Sequence, residues 1–161
     1  MTKVVTKISD LKPLLRRGRT DPHSVFPEIR QLAASTAWQT REVAATALVE
    51  IGKRHAEAVA NEARGWAADS NPNIRRAASE GLRGIVKLSP EMVWPVLELL
   101  RSDPSLYVRK SVASVLRNAS GRYPHAVLAI CRDWSTSPSV ETQWIVKEGL
   151  RKLRAIRPPP V

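Results

Sequence analysis

The strongest constraint on the fold of this chain is an internal repeat in which the same kinds of residue recur at every 34th position. This spacing appears in several registers: Leu48, Leu82, Leu116 and Leu150; Val25, Val59, Val93 and Val127; Leu32, Trp66, Leu100 and Trp134; Arg41, Arg75 and Arg109; and the prolines Pro22, Pro90 and Pro124. Self-similarity at a fixed period predicts an array of stacked supersecondary units. The chain is therefore predicted to be a repeat protein.

Each repeat unit predicts two helices joined by a short polar break. The first helix begins at a proline or a polar residue, as at Pro90, because proline is tolerated in the first turn. The break, as in residues 102–105, contains serine, aspartate and proline, which cap and restart helices. In the second helix apolar residues recur every three or four positions, as at Val108, Val112 and Leu116. Since no useful length alternates with a period of two, we predict an all-α fold without a sheet.

The helices are predicted near residues 9–17, 24–35, 39–54, 56–68, 72–87, 90–102, 105–120, 123–135 and 139–155. Hairpins with short links stack into a right-handed α-α superhelix with a concave surface, so residues 1–161 are predicted to form a single solenoid domain. The proline-rich tail, residues 156–161, cannot continue a helix and is predicted to be frayed or polyproline-like.

Composition limits the classes of partner. A net charge of +11 over 161 residues predicts binding to a polyanion such as a phosphate backbone or an anionic membrane surface; a basic surface kept only for solubility is the alternative. No apolar stretch is long enough for a membrane helix, and residues 1–9 lack the apolar core of a signal peptide. The single cysteine, Cys131, has no Cys or His companion. We therefore expect a cytoplasmic monomer without metal or cofactor.

One register of the second helices predicts a phosphate-binding row. Arg83, Arg117 and Arg151 are each one repeat period apart, so stacking places them side by side. Guanidinium groups match phosphate oxygens, and a row of them follows a nucleic-acid backbone; a merely solvated face is the alternative. Further residues on these helices are expected to contact DNA: Arg76, Lys87, Lys110, Lys147 and Asn118.

Three carboxylates lie among these basic residues, namely Glu42, Glu80 and Glu148. Negative charge there opposes nucleic-acid binding, which leaves two interpretations. The carboxylates either pair with neighbouring arginines, or they face something cationic in the ligand.

The type of repeat follows from its motifs. Tetratricopeptide repeats share this period, but their Trp-x-x-Leu-Gly-x-x-Tyr segment occurs in no unit here. The run Asp103-Pro104 followed by Val108-Arg109 resembles a HEAT repeat instead. This resemblance implies that the second helices line the concave side. It also implies that an inter-repeat ladder of Asp and Arg gives Arg41, Arg75 and Arg109 a structural role.

Longer segments resemble a particular family, the HEAT-like DNA alkylation repair glycosylases, and within the AlkC/AlkD superfamily most closely the AlkC branch. The resemblance rests on residues 71–81, 103–113 and 142–151 and covers roughly residues 38–153. It implies release of N3- and N7-alkylated purines from double-stranded DNA without flipping the base into a deep pocket. It also implies a role for the carboxylates of Glu80 and Glu42. They would stabilise the cation that forms on the deoxyribose as the purine leaves, and position the attacking water.

Two departures from the family pattern keep other functions open. Asn118 stands where the family carries an acid that assists catalysis, and residues 82–87 lack the family's aromatic segment. A DNA-binding paralogue without hydrolytic activity and a scaffold for an acidic protein partner are therefore the alternatives.

The tryptophans divide by register. Trp66 and Trp134 share a position with Leu32 and Leu100 and are predicted to be core residues. Trp38 and Trp144 are predicted near the concave edge, where an indole can stack on a sugar or a base.

Overall fold

The computed structural model describes the backbone of residues 10–156 and the side chains of residues 10–153. This part of the chain contains ten α-helices and no strand: α1 (Leu11–Thr20), α2 (Phe26–Ala33), α3 (Trp38–Gly52), α4 (Ala56–Trp66), α5 (Pro72–Gly81), α6 (Pro90–Leu100), α7 (Leu106–Ser120), α8 (Pro124–Trp134), α9 (Val140–Gly149) and α10 (Arg151–Ile156). The predicted all-α solenoid of helical hairpins is thereby confirmed. Within the described residues, no helix has the length and apolar character needed to cross a bilayer.

The helices form two layers. The second helices of the hairpins are α1, α3, α5, α7 and α9, and the first helices are α2, α4, α6 and α8. Successive second helices pack against each other along the whole stack, whereas contacts between successive first helices are sparser. A layer whose members approach more closely lies on the inside of a bend, so the second helices form the inner face. Leu14 is 1% exposed and stands one repeat period before Leu48, which places α1 in the second-helix layer.

Registers that repeat in the sequence form the core. Val25, Val59, Val93 and Val127 are fully buried, and they lie at or near the starts of the first helices. The predicted core tryptophans are confirmed, since Trp66 is 5% and Trp134 is 1% exposed. Their indole N–H groups donate to the carboxylates of Glu62 at 2.9 Å and Glu98 at 2.6 Å. Buried Trp therefore keeps a polar partner, as expected of an indole taken out of water.

Neighbouring second helices approach closely where one of them carries glycine. A Cβ built on Gly81 would lie 2.9 Å from Cβ of Leu48, and one built on Gly149 would lie 2.9 Å from Cδ1 of Leu116. In both pairs the leucine and the glycine belong to consecutive repeats. The repeated leucines therefore pack directly on the backbone of the next second helix.

The polar break before each of the helices α3, α5, α7 and α9 has the same pattern of hydrogen bonds. The side chain that stands two positions before the N-cap accepts the N-cap N–H: Ser35 from Ala37, Asp69 from Asn71, Asp103 from Ser105 and Ser137 from Ser139. The fourth residue of each helix then donates to the carbonyls of the break, through Arg41, Arg75, Arg109 and Gln143. The structural role predicted for the three arginines agrees with these contacts.

The Asp–Arg ladder between repeats is complete in only one place among the described residues. Arg75 donates from Nε and Nη2 to Asp103 at 2.7 and 3.1 Å, and this hydrogen bond raises the pKa of the Arg75 guanidinium. In the next repeat Asp103 is replaced by Ser137, and Nε of Arg109 is buried without a hydrogen-bond partner. Asp69 is engaged by Arg30 from α2 instead.

Helix boundaries differ from the prediction in several places. The helix predicted over residues 72–87 ends at Gly81 and continues as a 3-10 turn, Leu82–Gly84. This turn approaches α3 closely, because a Cβ on Gly84 would lie 2.3 Å from the carbonyl oxygen of Val49. The helix predicted over 139–155 is interrupted at Leu150, the one predicted over 24–35 begins at Phe26 after a 3-10 turn, and α1 extends to Thr20 rather than 17. Residues 1–9 and most of the predicted tail, 157–161, lie outside the described residues.

Two glycine substitutions test this packing. Gly84→Ala should destabilise the protein by about 1–3 kcal/mol, because its methyl group must displace the backbone of α3. Gly65→Ala is the matched control, since no atom lies within 4 Å of the Cβ position and alanine favours a helix, so stability should rise by a few tenths to about 1 kcal/mol. Urea unfolding of both variants measures the difference; equal stabilities would contradict the close approach.

Candidate nucleic-acid interface

The inner face is organised in rows because equivalent residues of successive second helices lie beside each other. We name Arg83, Arg117 and Arg151 the arginine row; each lies toward the C-terminal end of a second helix or directly after it. Glu80 and Glu148 form a second row three positions earlier, and Glu42, Arg76, Lys110 and Trp144 form a third. The arginine row is therefore positive, the second row contributes carboxylates, and the third row mixes both charges with an aromatic residue.

Both candidate catalytic carboxylates meet at one arginine. Nη2 of Arg76 lies 2.7 Å from Oε1 of Glu42 and 3.9 Å from Oε1 of Glu80, which connects α3 with α5. The Arg76 guanidinium also lies over the ring of Tyr107 from α7, 4.4 Å from its centroid. Three consecutive second helices thus hold this one side chain, which is only 12% exposed.

The two carboxylates differ in access. The Glu80 side chain is 9% exposed, and its Oε2 lies 2.6 Å from Nη2 of Arg83. The Glu42 side chain is 43% exposed and has Arg76 as its ion-pair partner. Of the two, Glu42 is therefore the one that a ligand on the inner face can reach, whereas Glu80 is enclosed by arginines.

A cleft of about 310 Å³ opens beside this cluster, between α3, the turn after α5, and α7. Its lining consists of Thr46, Val49, Arg83, Lys87 and Asn118. None of these residues is acidic, and the Asn118 amide carries no charge. The cleft thus offers Lys87, the side of Arg83 that Glu80 does not engage, and neutral hydrogen-bonding groups, a combination that suits a phosphate.

Arg117 of the arginine row is held in an unfavourable electrostatic setting. It is partly buried, and its Nη1 donates to the backbone carbonyl of Glu148 at 3.1 Å. Burial, followed by the neighbouring charge of Arg151, lowers the pKa of the Arg117 guanidinium. It stays protonated at neutral pH, so an anion placed between the two guanidinium groups would relieve their repulsion.

The remaining predicted basic residues are spread along the face. Arg151 lies 3.3 Å from Oε2 of Glu148 and is 68% exposed, so this ion pair is open to water. Lys110 on α7 and Lys147 on α9 are exposed. They extend the positive surface but take no part in the Arg76 cluster.

The two candidate stacking tryptophans occupy different environments. Trp38 is the first residue of α3 and is 61% exposed. Trp144 is partly buried against the core, and the guanidinium of Arg109 lies 5.7 Å from its ring centroid. Trp38 is accordingly the more accessible indole.

Tyr107 is a contributor to the site that the sequence did not single out. Its register contains Asn73 and Glu141, so no repeat of aromatic residues marks the position. The available signal was its place in the segment that resembles the glycosylases. Among the described residues, no group of three or more His, Cys, Asp or Glu side chains is arranged to hold a metal ion.

Comparisons with known proteins match this chain to the family of HEAT repeats over residues 26–117. Protein YhaZ of Bacillus subtilis (strain 168) is 34% identical over 135 residues, which cover 78% of this chain and 36% of YhaZ. The alkylpurine DNA glycosylase AlkC of Pseudomonas fluorescens, bound to DNA containing an abasic site analog, is similar with a TM-score of 0.72 and 25% identity. That match covers 93% of this chain and 44% of AlkC.

AlkD2 from Streptococcus mutans is similar with a TM-score of 0.71 and 28% identity, covering 86% of this chain and 69% of AlkD2. The chain thus spans about a third of YhaZ and less than half of AlkC.

Replacing each carboxylate of the Arg76 cluster should have unequal effects on stability. Glu80→Gln should cost about 1–3 kcal/mol, because it removes a buried charge that two arginines share. Glu42→Gln should cost less than about 1 kcal/mol, since the Glu42 side chain is 43% exposed and Arg76 keeps Glu80 as a second partner. Chemical unfolding of the two variants measures the difference in the free energy of unfolding. A larger loss for Glu42→Gln than for Glu80→Gln would contradict the burial of Glu80 between the two arginines.

Proposed function

Because this chain belongs to the HEAT-repeat family, within the structural superfamily of the AlkC and AlkD DNA glycosylases, we propose that it binds duplex DNA on its inner face. The observation that carries the proposal is the cleft lined by Arg83, Lys87 and Asn118, where two basic side chains meet and no acidic residue belongs to the lining. A phosphate is the group that would satisfy these side chains. The proposed interaction is thus primarily with the DNA backbone.

The dimensions of the arginine row suit a nucleic-acid strand. Packed helices lie about 8–10 Å apart, so three successive second helices spread Arg83, Arg117 and Arg151 over about 20 Å. Along one DNA strand phosphates follow each other at about 3.4 Å of helix axis, so this length covers about six nucleotides. The row can therefore contact several phosphates of one backbone.

Binding through phosphates should depend steeply on salt. Each neutralised phosphate contributes about 0.9 to the slope of log affinity against log salt concentration, so Arg117→Gln should lower the slope by about 1 and weaken binding. Arg132→Gln on the first helix α8 is the matched control, because this exposed arginine lies on the outer layer. Fluorescence anisotropy with a labelled duplex over a salt series measures both quantities.

The proposal fails if the affinity of the wild-type chain for the duplex barely changes between low and physiological salt. An equal loss in the two arginine variants would also contradict it, since the inner face would then have no special role.

Release of alkylated purines is a second candidate function, favoured by the similarity to AlkC over 93% of the chain. An N3- or N7-alkylated purine is a cationic leaving group, and its departure leaves an oxocarbenium-like sugar. A carboxylate near the sugar stabilises that charge. Glu42 is accessible enough for this role, while Glu80 would act through Arg76 and Arg83.

For Glu42 to meet a sugar cation, Arg76 must give up its ion pair with that carboxylate. A DNA phosphate would compete for Arg76, because a guanidinium binds phosphate and carboxylate through the same donors. Substrate binding would in this way release the carboxylate at the moment it is needed.

Incubation with N-methylated duplex DNA, followed by chromatography of free purines, tests this activity. We expect 3-methyladenine or 7-methylguanine above a control without protein, and a loss of about 100-fold or more in the Glu42→Gln and Glu80→Gln variants. Asn118→Asp should raise the rate if the missing acid limits catalysis. Intact DNA binding without any release would assign the chain to non-catalytic DNA recognition, and retained activity in a glutamine variant would exclude that carboxylate from the reaction.

A further inference from the structure

A row of exposed apolar residues runs along one edge of the inner face. It consists of the first residues of four successive second helices: Trp38, Pro72, Leu106 and Val140. Trp38 is 61%, Leu106 is 44% and Val140 is 71% exposed, and Pro72 is exposed as well. These three large side chains are half of the six exposed large apolar residues in the described part of the chain. We call this set the apolar row.

An exposed apolar residue at the first position of four successive second helices indicates a binding surface. Single exposed apolar residues are ordinary, but an aligned set marks a surface that meets another molecule. The first turn of a solvated helix favours acidic residues, because the N-terminal end of the helix dipole is positive. Tryptophan, leucine and valine carry no charge and gain nothing from this position. Because the solenoid brings the four helix starts side by side, the apolar row runs along one edge of the stack.

The helix α7 carries a member of both rows, Leu106 at its first position and Arg117 near its C-terminal end. The two residues are about three helical turns apart, so they project from the same side of α7 and are separated by about 17 Å along its axis. Arg83 and Arg151 follow the ends of α5 and α9, so they lie beyond the same end of their second helices. The major groove of DNA is about 12 Å wide, so two rows this far apart can lie on the two backbones that flank the groove. A duplex with one backbone on the arginine row can then place its other backbone on the apolar row.

The chemistry of the edge suits a sugar-phosphate chain. The N-caps of α3 and α7, Ala37 and Ser105, make no side-chain hydrogen bond to their helices, so first-turn N–H groups remain for a phosphate. The apolar side chains match the carbon face of deoxyribose, and the Trp38 indole can stack on a base. Nearby Glu42 is ion-paired with Arg76 in this structure.

One carboxylate works against DNA at the end of this strip. Glu141 follows Val140, and its Oε2 accepts a hydrogen bond from Ser139. The repulsion it exerts on phosphates places the strongest contact at the other members of the apolar row, Trp38 and Leu106.

We propose that the apolar row binds the second strand of the duplex, through its sugars and bases, while the arginine row binds the first. This assignment rests on the proposed DNA binding, and it means that the two edges of the inner face contact different strands of the duplex. The apolar side chains of this edge contribute contacts that need no release of counterions. The contribution of these side chains is hence independent of salt, unlike that of the arginines.

The test compares Trp38→Ala and Leu106→Ser with Leu99→Ser, a matched control on the first helix α6 that is 57% exposed. Anisotropy with a labelled duplex should show affinity about tenfold weaker for Trp38→Ala and about threefold weaker for Leu106→Ser, with Leu99→Ser unchanged. The slope of log affinity against log salt should equal that of the wild-type chain in all three. Thermal unfolding of each variant verifies that the solenoid is intact.

Three outcomes overturn the proposal. The first is unchanged duplex affinity in both variants, which would leave the apolar row to a protein partner. The second is an equal loss in Leu99→Ser. The third is a salt slope that falls by about 1, as for a lost phosphate contact. Failure of the underlying DNA binding has a different signature, because the wild-type chain itself would then not bind the duplex.

Discussion

The contact between successive second helices is the constraint on which the inner face depends. Leu48 packs on Gly81 and Leu116 packs on Gly149, and in each pair the glycine removes the Cβ that would separate the helices. The hydrogen bonds of the polar breaks then fix the starting point of each second helix, since an arginine or glutamine in the fourth position ties the helix to the break before it. Packing and capping together align equivalent residues into rows.

Alignment has an electrostatic consequence. Side chains of like charge come near each other when the same residue type recurs in every repeat. Burial and then the charge of Arg151 lower the pKa of the Arg117 guanidinium, while the charge of Glu148 acts in the opposite direction. Elsewhere the chain offsets its positive rows with glutamates, as where Glu42 and Glu80 share Arg76. In the cleft lined by Arg83 and Lys87 the compensation is partial, because Glu80 engages one side of Arg83 and no acidic residue lines the cleft. A bound polyanion would neutralise the positive charge that the glutamates leave uncompensated.

The glutamates of the inner face had two interpretations, pairing with arginines or facing a cationic ligand, and the Arg76 cluster bears on both. Pairing with arginine and facing a cationic ligand are compatible, because Arg76 holds Glu42 in this structure and a guanidinium binds carboxylate and phosphate through the same donors. Tyr107 supports this arginine from the next helix. The positions of the carboxylates are thus set by residues from three repeats rather than by their own helix alone.

The sequence by itself determined the solenoid, because a fixed period in apolar, arginine and proline registers is a local pattern that any stacking of the units must respect. It also determined which residues share a row and which tryptophans, Trp66 and Trp134, enter the core. Only the tertiary structure decided that α5 ends at Gly81, that Arg76 bridges Glu42 and Glu80, and that Ser137 leaves Nε of Arg109 without a partner. These features depend on the distance between atoms of different repeats, such as Gly84 and the carbonyl of Val49, and a periodic pattern specifies neighbours without specifying how closely they approach.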